Sequence, residues 1–274
     1  MRYSFLSILT VLLVLFSCKK ENEPTVPPQP EPTVIPTILL KDITIPNLPS
    51  PYYHFEYDGS GKVSFASFAS DLNRYDIIYN EGRIRQIRNN IVVNKDTLQY
   101  FYDNAGRVNM ITYISEAGIV YTRIFLAYDG QKLIKIEREK KSGAGFIMDK
   151  TMTMSYHTDG NLKELSYHYL PFNGSVEHSY ADHFEQYDNK INVDGFSLIH
   201  NEFFDHLVLL PGVQLQKNNP GKEYRTGDAA NYTIDYTYIY NDKNLPLNKK
   251  GDLLFTTGTD TGKRFQTNSF YSYY

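Results

Sequence analysis

The chain has 274 residues, with 28 Lys and Arg against 31 Asp and Glu for a formal net charge of −3, and no basic stripe that would point to a nucleic-acid partner. A single cysteine, Cys18, rules out any internal disulfide. Twenty-four Tyr and 16 Phe stand against no Trp, a composition suited to half-buried pleated surfaces in which a phenol packs its ring and keeps its tip wet.

Arg2 precedes an apolar run from Leu6 to Phe16 that is too short for the roughly 20 residues of a spanning helix, so residues 1–17 read as an export signal. The run ends in Leu15-Phe16-Ser17-Cys18, which resembles the lipobox of bacterial lipoproteins. That resemblance implies that Cys18 takes a fatty-acid anchor such as palmitate, becomes the new N-terminus and holds the chain to the outer membrane, with the membrane itself as a partner. Residues 18–37 then form a tether: Lys19 to Pro36 contains six prolines and no apolar period, and favours an extended form of about 3.1 Å per residue. Its start, Lys20-Glu21-Asn22-Glu23, resembles the lysine-plus-acidic signal of Bacteroidetes lipoproteins sent to the cell surface. The surface and the periplasmic face both stay open.

Residues 38–274 are long enough for one domain, and a repeat organises them. Its unit is an alternating segment ending in Tyr, then Asp or Asn, a polar turn with Gly and often Arg or Lys, and an apolar residue opening the next strand. Seven copies are legible: FEYDGSGKV from Phe55, IIYNEGRI from Ile77, YFYDNAGRV from Tyr100, LAYDGQKL from Leu126, MSYHTDGNL from Met154, EQYDNKI from Glu185 and YIYNDKNL from Tyr238. Each predicts a β-hairpin. Before the turn the apolar period is two, as in Leu98, Tyr100 and Tyr102; after it the offsets are zero, three and five, as in Val108, Ile111 and Tyr113. That odd step predicts a bulge near each turn. Repeated bulges coil a sheet, so the expectation is an all-β antiparallel meander of about 14 strands, curled into a trough or partial barrel.

The segment Ser197 to Leu210, SLIHNEFFDHLVLL, interrupts the rhythm with apolar positions 198, 199, 203, 207 and 210, and predicts one helix over 197–210 that covers or plugs the concave face. In this layout Tyr-Asp-x-x-Gly-Arg resembles the tyrosine-aspartate repeats of large bacterial surface and toxin-shell proteins. The combination of LFSC, proline tether, YD-type hairpins, LQKNNP from Leu215 and YTIDYTYIYNDKNLPLNK from Tyr232 resembles uncharacterised Bacteroidetes lipoproteins of this length. That second resemblance implies a porin-like β fold with no assigned activity.

Six of the seven histidines lie between His157 and His206, including His178, Asp182 and His183 in HSYADH and the pair His200 and His206. The odd offset of His178 and His183 sends them to opposite faces of a strand, and neither pair has the i, i+4 spacing of ligands on a helix, so no metal site is assigned. Asp58, Asp103, Asp129 and Asp188 share one turn slot, which is structural rather than hydrolytic chemistry. No phosphate loop and no nucleophile elbow occurs, and no catalytic residue or cofactor is assigned. The reading is a non-enzymatic binding or scaffold module with a glycan or protein partner. The alternatives are a glycan-processing enzyme, favoured by inward acids in a concavity, and a porin-like membrane barrel, against which charges in mid-strand weigh, as in Arg83 to Arg88.

Overall fold

The computed structural model describes residues 38–193 and 206–274; the signal segment, Cys18, the tether and residues 197–205 of the predicted helix lie outside them. Sixteen strands follow in chain order: β1 Leu40–Thr44, β2 Tyr53–Tyr57, β3 Val63–Phe68, β4 Asn73–Asn80, β5 Arg83–Asn89, β6 Thr97–Tyr102, β7 Val108–Ile114, β8 Val120–Asp129, β9 Lys132–Ser142, β10 Gly145–Tyr156, β11 Leu162–Tyr169, β12 His178–Glu185, β13 Lys222–Gly227, β14 Tyr232–Tyr240, β15 Pro246–Phe255 and β16 Arg264–Tyr273. Each pairs antiparallel with its chain neighbours, and β1 closes on β16 through Leu40↔Tyr273, Ile43↔Tyr271 and Thr44↔Phe270. The all-β meander is therefore as expected. The sheet closes fully rather than partly, and it holds sixteen strands rather than about 14, because β1, β13 and β16 lie outside the hairpin repeat.

Six of the seven repeat units form hairpins. The exception is EQYDNKI: its Glu185 ends β12, and the next strand is β13 at Lys222. In place of a second strand, the returning segment supplies backbone partners, Asp188 N to Asn219 O at 3.0 Å and Asn192 N to Lys217 O at 3.0 Å. The bulges fall opposite the repeat tyrosine, where the strand after the turn carries one extra residue, Arg85 beside Tyr79, Asn109 beside Tyr102, Ile134 beside Tyr128 and Lys163 beside Tyr156.

Six of the seven repeat tyrosines share one job. The phenol donates to the carbonyl of the apolar residue at the start of the second strand of the preceding hairpin: Tyr79 to Val63 at 2.9 Å, Tyr102 to Ile84 at 2.8 Å, Tyr128 to Val108 at 2.9 Å, Tyr156 to Leu133 at 2.6 Å and Tyr187 to Leu162 at 2.6 Å, while Tyr240 donates instead to the Asp188 carboxylate. Tyr57 makes the same bond to Leu40 in β1 at 2.8 Å. Over the ring sits the basic residue of the preceding turn, Lys62 on Tyr79, Arg83 on Tyr102, Arg107 on Tyr128 and Lys132 on Tyr156, at 4.9 to 5.4 Å from the centroid. The turn Asp completes the unit: Asp103 Oδ1 accepts from Ala105 N and Arg107 N, both at 2.9 Å. Thus Tyr, Asp and Arg of the repeat are a clasp between consecutive hairpins. Each phenol–carbonyl bond contributes about 0.5–1.5 kcal/mol and each cation over a ring about 0.5–1 kcal/mol at these exposed edges. Burial of the rings raises the phenol pKa to about 12 at Tyr79, Tyr128 and Tyr156, so they stay neutral donors.

The faces follow the period. Leu98 and Tyr100, Val108, Ile111 and Tyr113, and Leu162, Leu165 and Tyr167 are all buried in the lumen. Residues 206–210, assigned above to a helix, are not helical. Leu207, Val208, Leu209 and Leu210 run through the apolar core as irregular chain, all four buried, with Leu207 N and Leu209 N donating to the phenols of Tyr75 at 3.5 Å and Tyr100 at 3.2 Å. A segment enclosed on every side has no solvent face, so a helical stripe cannot be read from it. Wall tyrosines supply the partners that a helix would have found within itself.

Candidate binding surfaces of the barrel lumen

One sector of the lumen wall is polar. On β12 to β15 the inward positions carry Tyr180, Asp182, Glu223, Arg225, Tyr232, Tyr236 and Lys249 beside Phe184 and Ile234. Arg225 Nε and Nη2 donate to Asp182 at 2.7 and 2.9 Å, and the guanidinium lies over the rings of Tyr180 at 4.1 Å and Tyr232 at 4.9 Å. Glu223 accepts from Tyr232 and Tyr236, each at 2.7 Å, and Tyr232 also reaches Asp182 at 3.4 Å. Burial raises the Glu223 carboxyl pKa, and the neighbouring Asp182 charge pushes it the same way, against smaller lowering by the Tyr236 hydroxyl and Lys249. The sector is thus two carboxyls bridged by one phenol, with Asp182 held bidentately by Arg225 and Glu223 held by two phenols. A further inward pair, Arg138 and Asp149, is deeply buried and bidentate, with Nε to Oδ1 at 3.0 Å and Nη2 to Oδ2 at 2.5 Å.

A second surface is apolar. Leu40, Val63 and Ile84 from the wall, Ile191 and Val193, and the plug residues Leu209 to Gln216 line a cleft of about 510 Å³ with Lys62 at its edge.

Among the residues singled out from sequence, Asp182 joins the polar sector. His178 shares its face and stacks on Tyr169 at 4.3 Å, whereas His183 lies on the opposite face, stacked on Tyr224 at 4.6 Å, as the odd offset requires. His200 lies outside the described residues. His206 is buried at the start of the plug, its Nε2 3.3 Å from Asp96 and 3.1 Å from the Tyr121 hydroxyl. No group of three metal-ligating side chains converges among the described residues. Asp58 and Asp188 bond their own turns as Asp103 does, with Asp58 Oδ1 accepting from Ser60 N at 2.8 Å and Asp188 Oδ1 from Lys190 N at 2.9 Å. Asp129 instead closes a two-residue turn opposite Lys132. Glu223 and Arg225 were missed. The signal was there in KEYRTG, whose alternate positions place charge where other strands place apolar residues.

The outer wall carries the charge. Asp76 faces Arg88, Arg123 pairs with Glu139 at 3.8 Å, Lys135 pairs with Glu137, and Asp235 faces Asp252. Phe101, Met110 and Phe125 lie side by side across β6, β7 and β8, and Glu137 ends that apolar row on β9. Among the described residues no helix is long and apolar enough to cross a membrane.

Two solved structures share this fold. One is a porin-like protein from Bacteroides vulgatus ATCC 8482, with a TM-score of 0.56 at 16% identity over 86% of this chain and 99% of that one. The other is a porin-like protein from Bacteroides uniformis ATCC 8492, with a TM-score of 0.55 at 13% identity over 81% of this chain and 89% of that one. No protein-family model matches the sequence, and no curated protein matches it. At such identities the likeness concerns the barrel and its strand order.

Proposed function

We propose that this protein is an exported lipoprotein, held to the bacterial outer membrane by lipid on Cys18 and a proline-rich tether, that presents a water-facing barrel as a non-enzymatic binding or scaffold module. The observation that carries the reading is the polarity of the wall. A membrane-spanning barrel turns an apolar band outward and keeps a polar interior, and each Lys or Arg on its lipid face costs about 2–4 kcal/mol at the midplane. This barrel has Arg88, Arg123 and Lys135 outside and a lumen filled by Leu207 to Leu210. The resemblance of LFSC to a lipobox supports the anchor, and the interlocked turns support kinship with tyrosine-aspartate repeats.

A conducting pore is the opposing reading, and planar-bilayer recording distinguishes the two. The full lipoprotein should give no stepwise conductance; discrete channels would overturn the proposal. For the anchor, Cys18→Ala should lose incorporation of a fatty-acid analogue and leave the membrane fraction, since the covalent chains supply the adhesion. Continued labelling would overturn that assignment.

A further inference from the structure

The apolar cleft between wall and plug is built for a ligand of a particular kind. Its volume, about 510 Å³, lies within the roughly 300–1,000 Å³ of small-molecule sites, and barrel mouths are among the places such sites occur. The walls are aliphatic: Leu40, Val63 and Ile84 on the barrel side, Leu209, Val213 and Leu215 on the plug side.

One polar feature breaks this lining. Lys62, whose ammonium rests 5.4 Å from the centroid of the Tyr79 ring, stands at the exposed edge of the cleft. Apolar walls with a cation at the edge complement a hydrocarbon chain that ends in an acid.

We propose that this cleft binds a free long-chain fatty acid, with the acyl chain against Val63, Ile84 and the plug leucines, and the carboxylate at Lys62. Ionised acid at the edge meets Lys62 in water, where an ion pair contributes little, and the apolar contact supplies most of the affinity.

The test uses the chain from Lys19 to Tyr274, which contains the whole closed barrel and carries no lipid of its own, so that a signal cannot come from the anchor. Dansyl-undecanoic acid should gain fluorescence on titration with this protein and be displaced by palmitic acid. Because the chain has no Trp, Ile191→Trp both fills the cleft edge and adds a single fluorophore. It should abolish probe binding, whereas Ile147→Trp at the exposed start of β10, on the rim away from the cleft, should not. Lys62→Ala should weaken palmitic acid by about two- to fivefold and leave the corresponding fatty alcohol unchanged. Circular dichroism identical to the parent keeps each variant interpretable. No fluorescence gain with the parent protein would overturn the proposal, as would equal binding by the Ile191→Trp and Ile147→Trp variants, or equal weakening of acid and alcohol by Lys62→Ala.

Discussion

The two rims of the barrel are built by different rules. At the rim where β2 turns into β3, β4 into β5, β6 into β7, β8 into β9 and β10 into β11, short polar turns repeat, and phenols reach from one hairpin to the carbonyl of the one before. At the opposite rim the loops after β3, β5, β7 and β11 differ in length and carry exposed aliphatics, Leu72, Val92 and Val93, Ile119, and Val176, and the turn after β7 alone of these four follows the clasped pattern, with Ser115 in the place of the Asp. The difference shows where the curvature is written. Coiling is imposed by bulge and clasp at one rim, and the other rim follows from strands already tilted, which leaves its loops free to vary.

Substitutions should separate the rims by their cost. The largest effect belongs to the buried Arg138–Asp149 pair, which ties β9 to β10: Arg138→Met leaves a buried carboxylate without its cation and should cost about 3–5 kcal/mol by urea unfolding. At the clasped rim, Gly106 has φ +79°, and a Cβ there would lie 2.9 Å from the Arg83 guanidinium. Gly106→Val should cost about 1–3 kcal/mol, and an unchanged unfolding midpoint would refute the turn's role. Tyr102→Phe removes only the bond to the Ile84 carbonyl and should cost about 1 kcal/mol. A double-mutant cycle of Tyr102→Leu with Arg83→Ala should show coupling, because the guanidinium rests on the ring that Leu removes. At the free rim, Val92→Ser should stay within about 0.5 kcal/mol of the parent. A Val92 cost equal to that of Tyr102 would erase the distinction.

The polar sector adds a pH dependence. Glu223 has a raised pKa in the folded state, so its contribution to stability is fully present below the unfolded carboxyl pKa and is lost as pH rises through the folded value. Thermal midpoints of the parent relative to Glu223→Gln should therefore fall as pH goes from acid toward neutral. A difference that does not vary with pH would show the carboxyl to be unperturbed.

Much of the clasped rim is legible from sequence because its chemistry is local. Tyr, Asp, Gly and the apolar opener sit within nine residues, and the offset of three in Val108 to Ile111 reports the bulge directly. Closure is not local: the pairing of Leu40 with Tyr273 joins the two ends of the described chain, and no short motif encodes it. The plug defeats pattern reading for another reason. Leu207 to Leu210 are buried all round, so their run fits a helix, a strand or irregular chain equally, and the deciding partners are Tyr75 and Tyr100 on distant strands. The polar sector is half legible. Asp182 stands out within HSYADH, but its meaning depends on Arg225 in the next strand, which only the register of β12 and β13 brings opposite it.

The central claim is a barrel with charged residues along its outer wall and a lumen occupied by the apolar plug. Expression of Lys19 to Tyr274 without signal or lipid, followed by circular dichroism and light scattering in detergent-free buffer, tests that claim most directly. The account predicts a soluble, monomeric, β-rich protein with a cooperative thermal transition; a chain that folds only when detergent or lipid is supplied would contradict it.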